Sequence, residues 1–108
     1  MITVNQLSQC YATINYIDET GSPYTPTSVN WRLWDGTNNV LLQDWQAIAG
    51  PLSTSSSITI AASFNNLQPT HPNELRVIVF QILAGDAPVR YDPQCYTVIA
   101  VPTLQSLA

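Results

Sequence analysis

The chain reads as all-β, a single antiparallel β-sandwich of six to seven short strands, and three observations predict this. Apolar residues recur with a period of two over most of its length, the spacing of half-buried strands. Eight prolines and four glycines punctuate the 108 residues, and no stretch carries a helical apolar stripe. Val, Ile, Thr, Tyr and Trp are plentiful while lysine is absent, a strand-forming composition. The length suits one domain, 1–108, with 1–9 as an N-terminal arm and 102–108 as a short tail. Folding a chain of this size removes roughly 65% of its extended surface from water, so neither metal nor disulfide is needed for a core.

The elements follow in order. "CYATINYID" (10–18) alternates Ala12, Ile14 and Tyr16 against Tyr11, Thr13, Asn15 and Ile17. Gly21, Pro23 and Pro26 then make 19–27 a loop. "SVNWRLW" (28–34) is a strand, "DGTNN" (35–39) a hairpin turn with Gly and Asn available for positive φ, and "VLLQDWQ" (40–46) the return. A polar connection leads to "SITIAAS" (57–63), with Ile58 and Ile60 inward. Pro69 and Pro72 keep 65–73 from being a helix. "ELRVIVFQIL" (74–83) is apolar on both parities, as befits a central strand. A turn, and with it a short edge strand, occupies 84–93; "QCYTVIAV" (94–101) is the last strand, ended by Pro102. Turn-separated strands without helices predict an immunoglobulin-like or fibronectin-III-like architecture. An antibody domain is excluded, because Cys10 and Cys95 sit near the chain ends rather than flanking Trp31 in the antibody spacing.

The hairpin carries the functional question, because Trp31 and Trp34 fall on opposite faces of their strand. A five-residue loop pairs Trp34 with Val40, Leu33 with Leu41, Arg32 with Leu42, Trp31 with Gln43 and Val29 with Trp45. One face then holds Val29, Trp31, Leu33, Leu41 and Trp45, and the other holds Arg32, Trp34, Val40 and Leu42. A four-residue loop instead pairs Trp34 with Leu41 and Trp31 with Asp44, a poorer match for a core indole. The first register is preferred. Trp34 is then either covered by the N-terminal arm or the 19–27 loop, or left in an exposed patch flanked by Arg32 and Asp44. In the second case Arg32, Trp34, Val40 and Leu42 form the candidate interface, since Trp and Arg anchor interfaces.

Little else suggests chemistry. Three arginines against seven acids leave a net charge of −4, which argues against nucleic acid and an anionic membrane surface as partners. No apolar run reaches the ~18 residues of a membrane helix. "MITVNQLSQC" has neither the basic nor the apolar region of a secretory signal, so synthesis and assembly in the cytoplasm are expected. Cys10 and Cys95 are expected as reduced, buried small hydrophobes, with a staple between first and last strands as the other reading. His71 is expected as a solvated loop residue, with Glu74 its nearest acid. Asp18, Glu19, Asp86 and Asp92 flank turns, where acids face water; calcium held by Asp18, Glu19 and another loop acid is an unspecific reading. No G-x-S-x-G, phosphate loop or metal-ligand spacing is present. The expectation is a protein that is not an enzyme and has no cofactor, metal or catalytic residue.

Asp18, Gly21 and Pro23, then Pro26 to Val29, Trp31, Ile58 to Ile60, and Glu74 to Val77 carry a further pattern. It runs as a D-x-x-G-x-P turn, a P-T-S-V strand with an aromatic, an I-T-I strand and an E-x-R-V strand. In this the chain resembles the small β-sandwich structural proteins of tailed bacteriophages. The resemblance covers most of the chain and implies a virion protein that decorates or cements the capsid, or serves in the neck or tail. It implies binding to the major capsid protein or other virion proteins, and a homo-oligomer, commonly a trimer. A carbohydrate- or receptor-binding module, stacking sugars on exposed Trp and Tyr, is the reading from another class.

Overall fold

A computed structural model of the chain describes residues 2–68, 70–85 and 88–101. The tail 102–108, including Pro102, lies outside them, as do the expectations placed on Pro69 and Asp86. Among the described residues seven strands form: β1 (Ile2–Asn5), β2 (Cys10–Asn15), β3 (Ser28–Asp35), β4 (Val40–Ala47), β5 (Ser55–Ile60), β6 (Asn73–Leu83) and β7 (Arg90–Ile99). They make a five-stranded sheet, β1-β7-β6-β3-β4, and a two-stranded sheet, β2-β5. In this order β7, β6, β3 and β4 hold the places of strands G, F, C and C′ of an immunoglobulin sandwich, with β2 and β5 as B and E. Every pairing is antiparallel except β1 with β7, which is parallel from Ile2↔Tyr96 to Asn5↔Ile99. The expected N-terminal arm is thus partly a strand of the sheet, and 90–93 are the start of β7 rather than a separate edge strand.

The core follows from alternation. Ala12, Ile14, Ile58 and Ile60 of the small sheet face Val29, Trp31, Leu33, Ile78, Phe80, Ile82, Tyr96 and Val98 of the large one, all buried. β6, apolar on both parities, is central as its sequence predicts, lying between β3 and β7. The chain beyond Ile60 leaves the strand and makes one 3-10 turn, Ala62–Asn65. This replaces the expected strand to residue 63 and puts Asn65 inside, where its Oδ1 accepts from the Tyr96 hydroxyl at 2.7 Å.

Two turns show local chemistry. Asp18 does more than face water: its Oδ1 accepts from the Thr20 hydroxyl (2.6 Å), the Thr20 N–H (2.9 Å) and the Ser22 N–H (3.0 Å). These bonds, the Thr20 hydroxyl first, hold its carboxyl below the usual range. Gly21 supplies the φ of +85° that closes this turn. At the β3–β4 hairpin, Asn39 supplies the positive φ (+56°). Gly36 serves close approach instead, since a Cβ there would meet Leu75 and Val77 side chains at 3.1 Å.

Candidate interaction face

The hairpin register differs from the preferred expectation. Asp35 pairs with Val40 and Trp34 with Leu41, so the loop is the four-residue one. Register shifts then occur on both sides of Leu33, after which Trp31 pairs with Gln46 and Asn30 with Ala47. Each bulge moves one strand past the other by a residue and re-aims its side chains. The four-residue loop reverses the parity of β4 relative to the five-residue one, and the two shifts, two residues in all, leave it reversed, so Trp45 is on the outer face, not in the core, and Leu41 opposes Trp34 rather than Leu33. Val40 takes the parity of buried Asp35, and Leu42 packs against the core. Of the four expected interface residues, Arg32 and Trp34 are on the outer face; Val40 is 49% exposed on the other parity at the hairpin end, and Leu42 packs inward.

Rows across β3, β6 and β7 give the rest of this face. Trp34 aligns with Val77 and Cys95, Arg32 with Val79 and Pro93, and Asn30 with Gln81 and Tyr91. The Arg32 guanidinium lies between two indoles, its Cζ 4.6 Å from the Trp45 ring centroid and 5.7 Å from that of Trp34. Its Nε and Nη2 donate to Asp44 Oδ1 at 3.3 and 3.1 Å, and the Trp45 N–H donates to the same oxygen at 2.8 Å. The Trp45 N–H first, and Arg32 second, hold the Asp44 carboxyl below its usual range. Trp45 continues to Tyr91, with ring centroids 6.4 Å apart. Trp45 and Tyr91 are 37% and 59% exposed.

Neither expected cover reaches Trp34. β1 is the edge strand beyond β7, with β7 and β6 between it and β3. The 19–27 segment ends at the opposite end of β3, where the Thr27 N–H donates to Leu83 O, and its Tyr24 ring lies on Tyr16, 6.2 Å away. The outward residues of the small sheet contrast with this face. They are Tyr11, Thr13, Asn15, Ser55, Ser57 and Thr59, with Thr13 and Ser57 hydroxyls hydrogen-bonded at 2.9 Å.

A second cluster lies inside the sandwich, and sequence reasoning missed it. Glu74 and Arg76 alternate with the core residues Ile78, Phe80 and Ile82 on β6, and are 1% and 2% exposed. Arg76 Nη1 is 3.0 Å from Glu74 Oε1 and 3.3 Å from Asp35 Oδ1. Its Nε donates to Phe64 O at 3.0 Å and its Nη2 to Asn66 O at 2.6 Å, tying β6 to the 3-10 turn. Glu74 Oε2 accepts from the Gln68 N–H at 2.9 Å and lies 2.7 Å from His71 Nδ1, so His71 is half-buried on a carboxylate rather than solvated.

Burial raises the Glu74 carboxyl, but bonds from Gln68, His71 and Arg76 outweigh it and leave it below its usual range. At Asp35, burial is likewise outweighed, here by Asn38, Arg76 and Thr37. Both folded values are lower than the unfolded ones, so their stabilisation is complete above the unfolded carboxylate pKa of about 4. It is lost as pH falls through the folded values. Urea midpoints measured from pH 7 to pH 2 should therefore drop steeply below about pH 4; a flat profile there would contradict the cluster's role.

Both cysteines are free, but only Cys10 is partly buried, with Asn65 Nδ2 3.4 Å from its sulfur; Cys95 is exposed. Burial, then the Cys10 thiol, push the Tyr96 phenol up. An apolar crevice of about 260 Å³ opens between β1, β2 and β7, and no charged side chain lines it. Among the described residues no group of three or more His, Cys, Asp or Glu gathers as a metal site. Asp92 lies within β7, opposite Phe80 of β6. No family model matches the chain, and no curated protein matches it in sequence. Among solved structures it is similar to murine CRIg, with a TM-score of 0.46 at 11% identity over 93% of this chain and 91% of that one.

Proposed function

We propose that this protein is a non-catalytic structural component of a tailed-bacteriophage virion, a capsid decoration or cement protein. It docks on the major capsid protein through the outer face of the five-stranded sheet. One observation carries the docking surface: Arg32 is stacked between Trp34 and Trp45 and pinned by Asp44, on a face that continues through Tyr91. Trp, Tyr and Arg are the residues that anchor interfaces, and a pinned arginine has less freedom to lose on binding. Val77, Val79 and Pro93 surround the stack with apolar surface. The virion assignment draws on the sequence resemblance, two of whose motifs have local physical roles here. The D-x-x-G-x-P turn is organised by Asp18, and the E-x-R-V strand supplies the buried Glu74–Arg76 pair.

Sugar stacking is less favoured by the same face. Asn30 donates to Gln81 Oε1 at 3.2 Å, and Gln81 donates to the Tyr91 hydroxyl at 3.3 Å. The amides of this face and the Tyr91 hydroxyl are thus engaged with one another.

The test is addition of purified protein to capsids that lack it, together with mass spectrometry of intact virions. Stoichiometric addition and presence in virions are expected. Absence from both, or glycan binding instead, overturns the reading, and a position on the neck or tail in a reconstruction reassigns its place. Trp45→Ala should weaken capsid binding about 30-fold, the loss of one hot-spot aromatic. Its thermal melt should stay close to that of the unsubstituted protein.

A further inference from the structure

The link between β1 and β2 is a tight turn with the wrong residue for its shape. The Ser8 N–H donates to Asn5 O at 3.1 Å, which makes Asn5–Ser8 a β-turn. Its third residue, Leu7, has φ of +58°. Turns with positive φ at that position take Gly or Asn, because a branched side chain beyond Cβ is strained in the left-handed region. The residues before the hinge are held by contacts with the rest of the fold. β1 pairs only with β7, over four residues. The Gln6 N–H donates to Ile99 O at 2.9 Å, and Gln6 Nε2 donates to Asn66 Oδ1 at 3.1 Å. The Val101 N–H lies 3.4 Å from Gln6 Oε1, and Val4 packs on the core.

We infer that β1 exchanges between two copies of this chain. When Leu7 straightens into the extended region, β1 and β2 become one continuous segment. β1 then pairs in parallel with β7 of a second copy, and that copy's β1 fills the vacated place. Every contact made by β1 and Gln6 is re-formed across the two chains, because its partners all lie beyond the hinge. What changes is at the turn: the Ser8–Asn5 bond opens, the left-handed Leu7 is released, and Asn65, whose O accepts from the Leu7 N–H at 2.8 Å and whose Nδ2 donates to Ser8 O at 2.8 Å, no longer holds both sides of the hinge within one chain. Short, strained hinges favour such exchange. This contact is independent of the Trp34–Arg32–Trp45 face, so either can fail without the other.

The test measures mass in solution by light scattering over a concentration series, after slow equilibration. The unsubstituted chain should form a slowly exchanging dimer. Leu7→Val, which keeps the N–H but is worse in the left-handed region, should raise the dimer fraction. Leu7→Gly should lower the association constant about 100-fold, because each dimer releases the usual left-handed penalty at two hinges. Thr3→Cys with Thr97→Cys, in a Cys10→Ser and Cys95→Ser background, places the cross-link between paired residues of β1 and β7. Isolated dimers, once oxidised, should run as covalent dimers without reductant. Monomers at every concentration for both the unsubstituted chain and Leu7→Val overturn the proposal. So do dimers whose cross-links stay within one chain.

Discussion

Arg76→Met is expected to cost about 3–5 kcal/mol, a large share of the roughly 5–15 kcal/mol that holds a domain this size. The guanidinium lies between Glu74 and Asp35 in a buried cluster, and it also satisfies Phe64 O and Asn66 O. Its removal leaves two carboxylates in a poorly solvated interior and two carbonyls without their donors. Arg76→Lys should recover little, since one ammonium cannot span four acceptors that a planar fork reaches. Replacing the acids together with the arginine should cost less than removing the arginine alone, because no uncompensated charge then remains. Urea denaturation of each variant reads the difference. A midpoint for Arg76→Met equal to that of the unsubstituted protein would mean that the cluster contributes nothing to holding β6 on the 3-10 turn.

Trp31→Ala should cost about 3–5 kcal/mol, while Trp34→Ala, three residues away, should cost less than about 1. Trp31 lies in the core with Val29, Leu33 and Phe80, so truncation leaves a cavity the neighbours cannot fill. Trp34 is half-buried on the outer face, opposite Leu41 and Val77 in register, with the Arg32 guanidinium 5.7 Å from its ring centroid. Paired thermal melts decide between them. Equal losses would place Trp34 in a core of its own and remove it from the interface.

Much of the sandwich was legible because alternation and turn chemistry are local. The inward parity of Ile58 and Ile60, the central position of β6 and the opposition of Trp31 to Trp34 all follow from a period of two. The hairpin register was not legible: five- and four-residue loops both fit the turn residues, and the preferred five-residue one is not the one that forms. A loop one residue shorter than the preferred one reverses the parity of β4 and carries Trp45 from the expected core to the surface, and the shifts around Leu33 insert residues that alternation cannot reveal. The parallel pairing of β1 with β7 joins residues 94 apart, and nothing in Ile2–Asn5 specifies that partner.

The buried charges were half legible. Glu74 and Arg76 share the parity of Ile78, Phe80 and Ile82, so the alternation itself placed two charges among core positions. Their opposition two residues apart marks a compensated pair. Asp35, Phe64 O and Asn66 O are not readable in the same way, because they meet Arg76 only once the sheet and the 3-10 turn are assembled. The candidate face has the same division. Arg32 and Trp34 are read from one strand, whereas Trp45 and Tyr91 reach it through a hairpin register and a sheet order that the chain reveals only when folded.

Hydroxyl-radical footprinting of the protein free and bound to capsids tests the docking face most directly. Trp34, Trp45 and Tyr91 should lose labelling on binding, while Tyr11, 69% exposed on the opposite sheet, should keep it. Protection of Tyr11 with Trp45 and Tyr91 labelled as in the free protein would contradict the account and move the interface to the β2–β5 face.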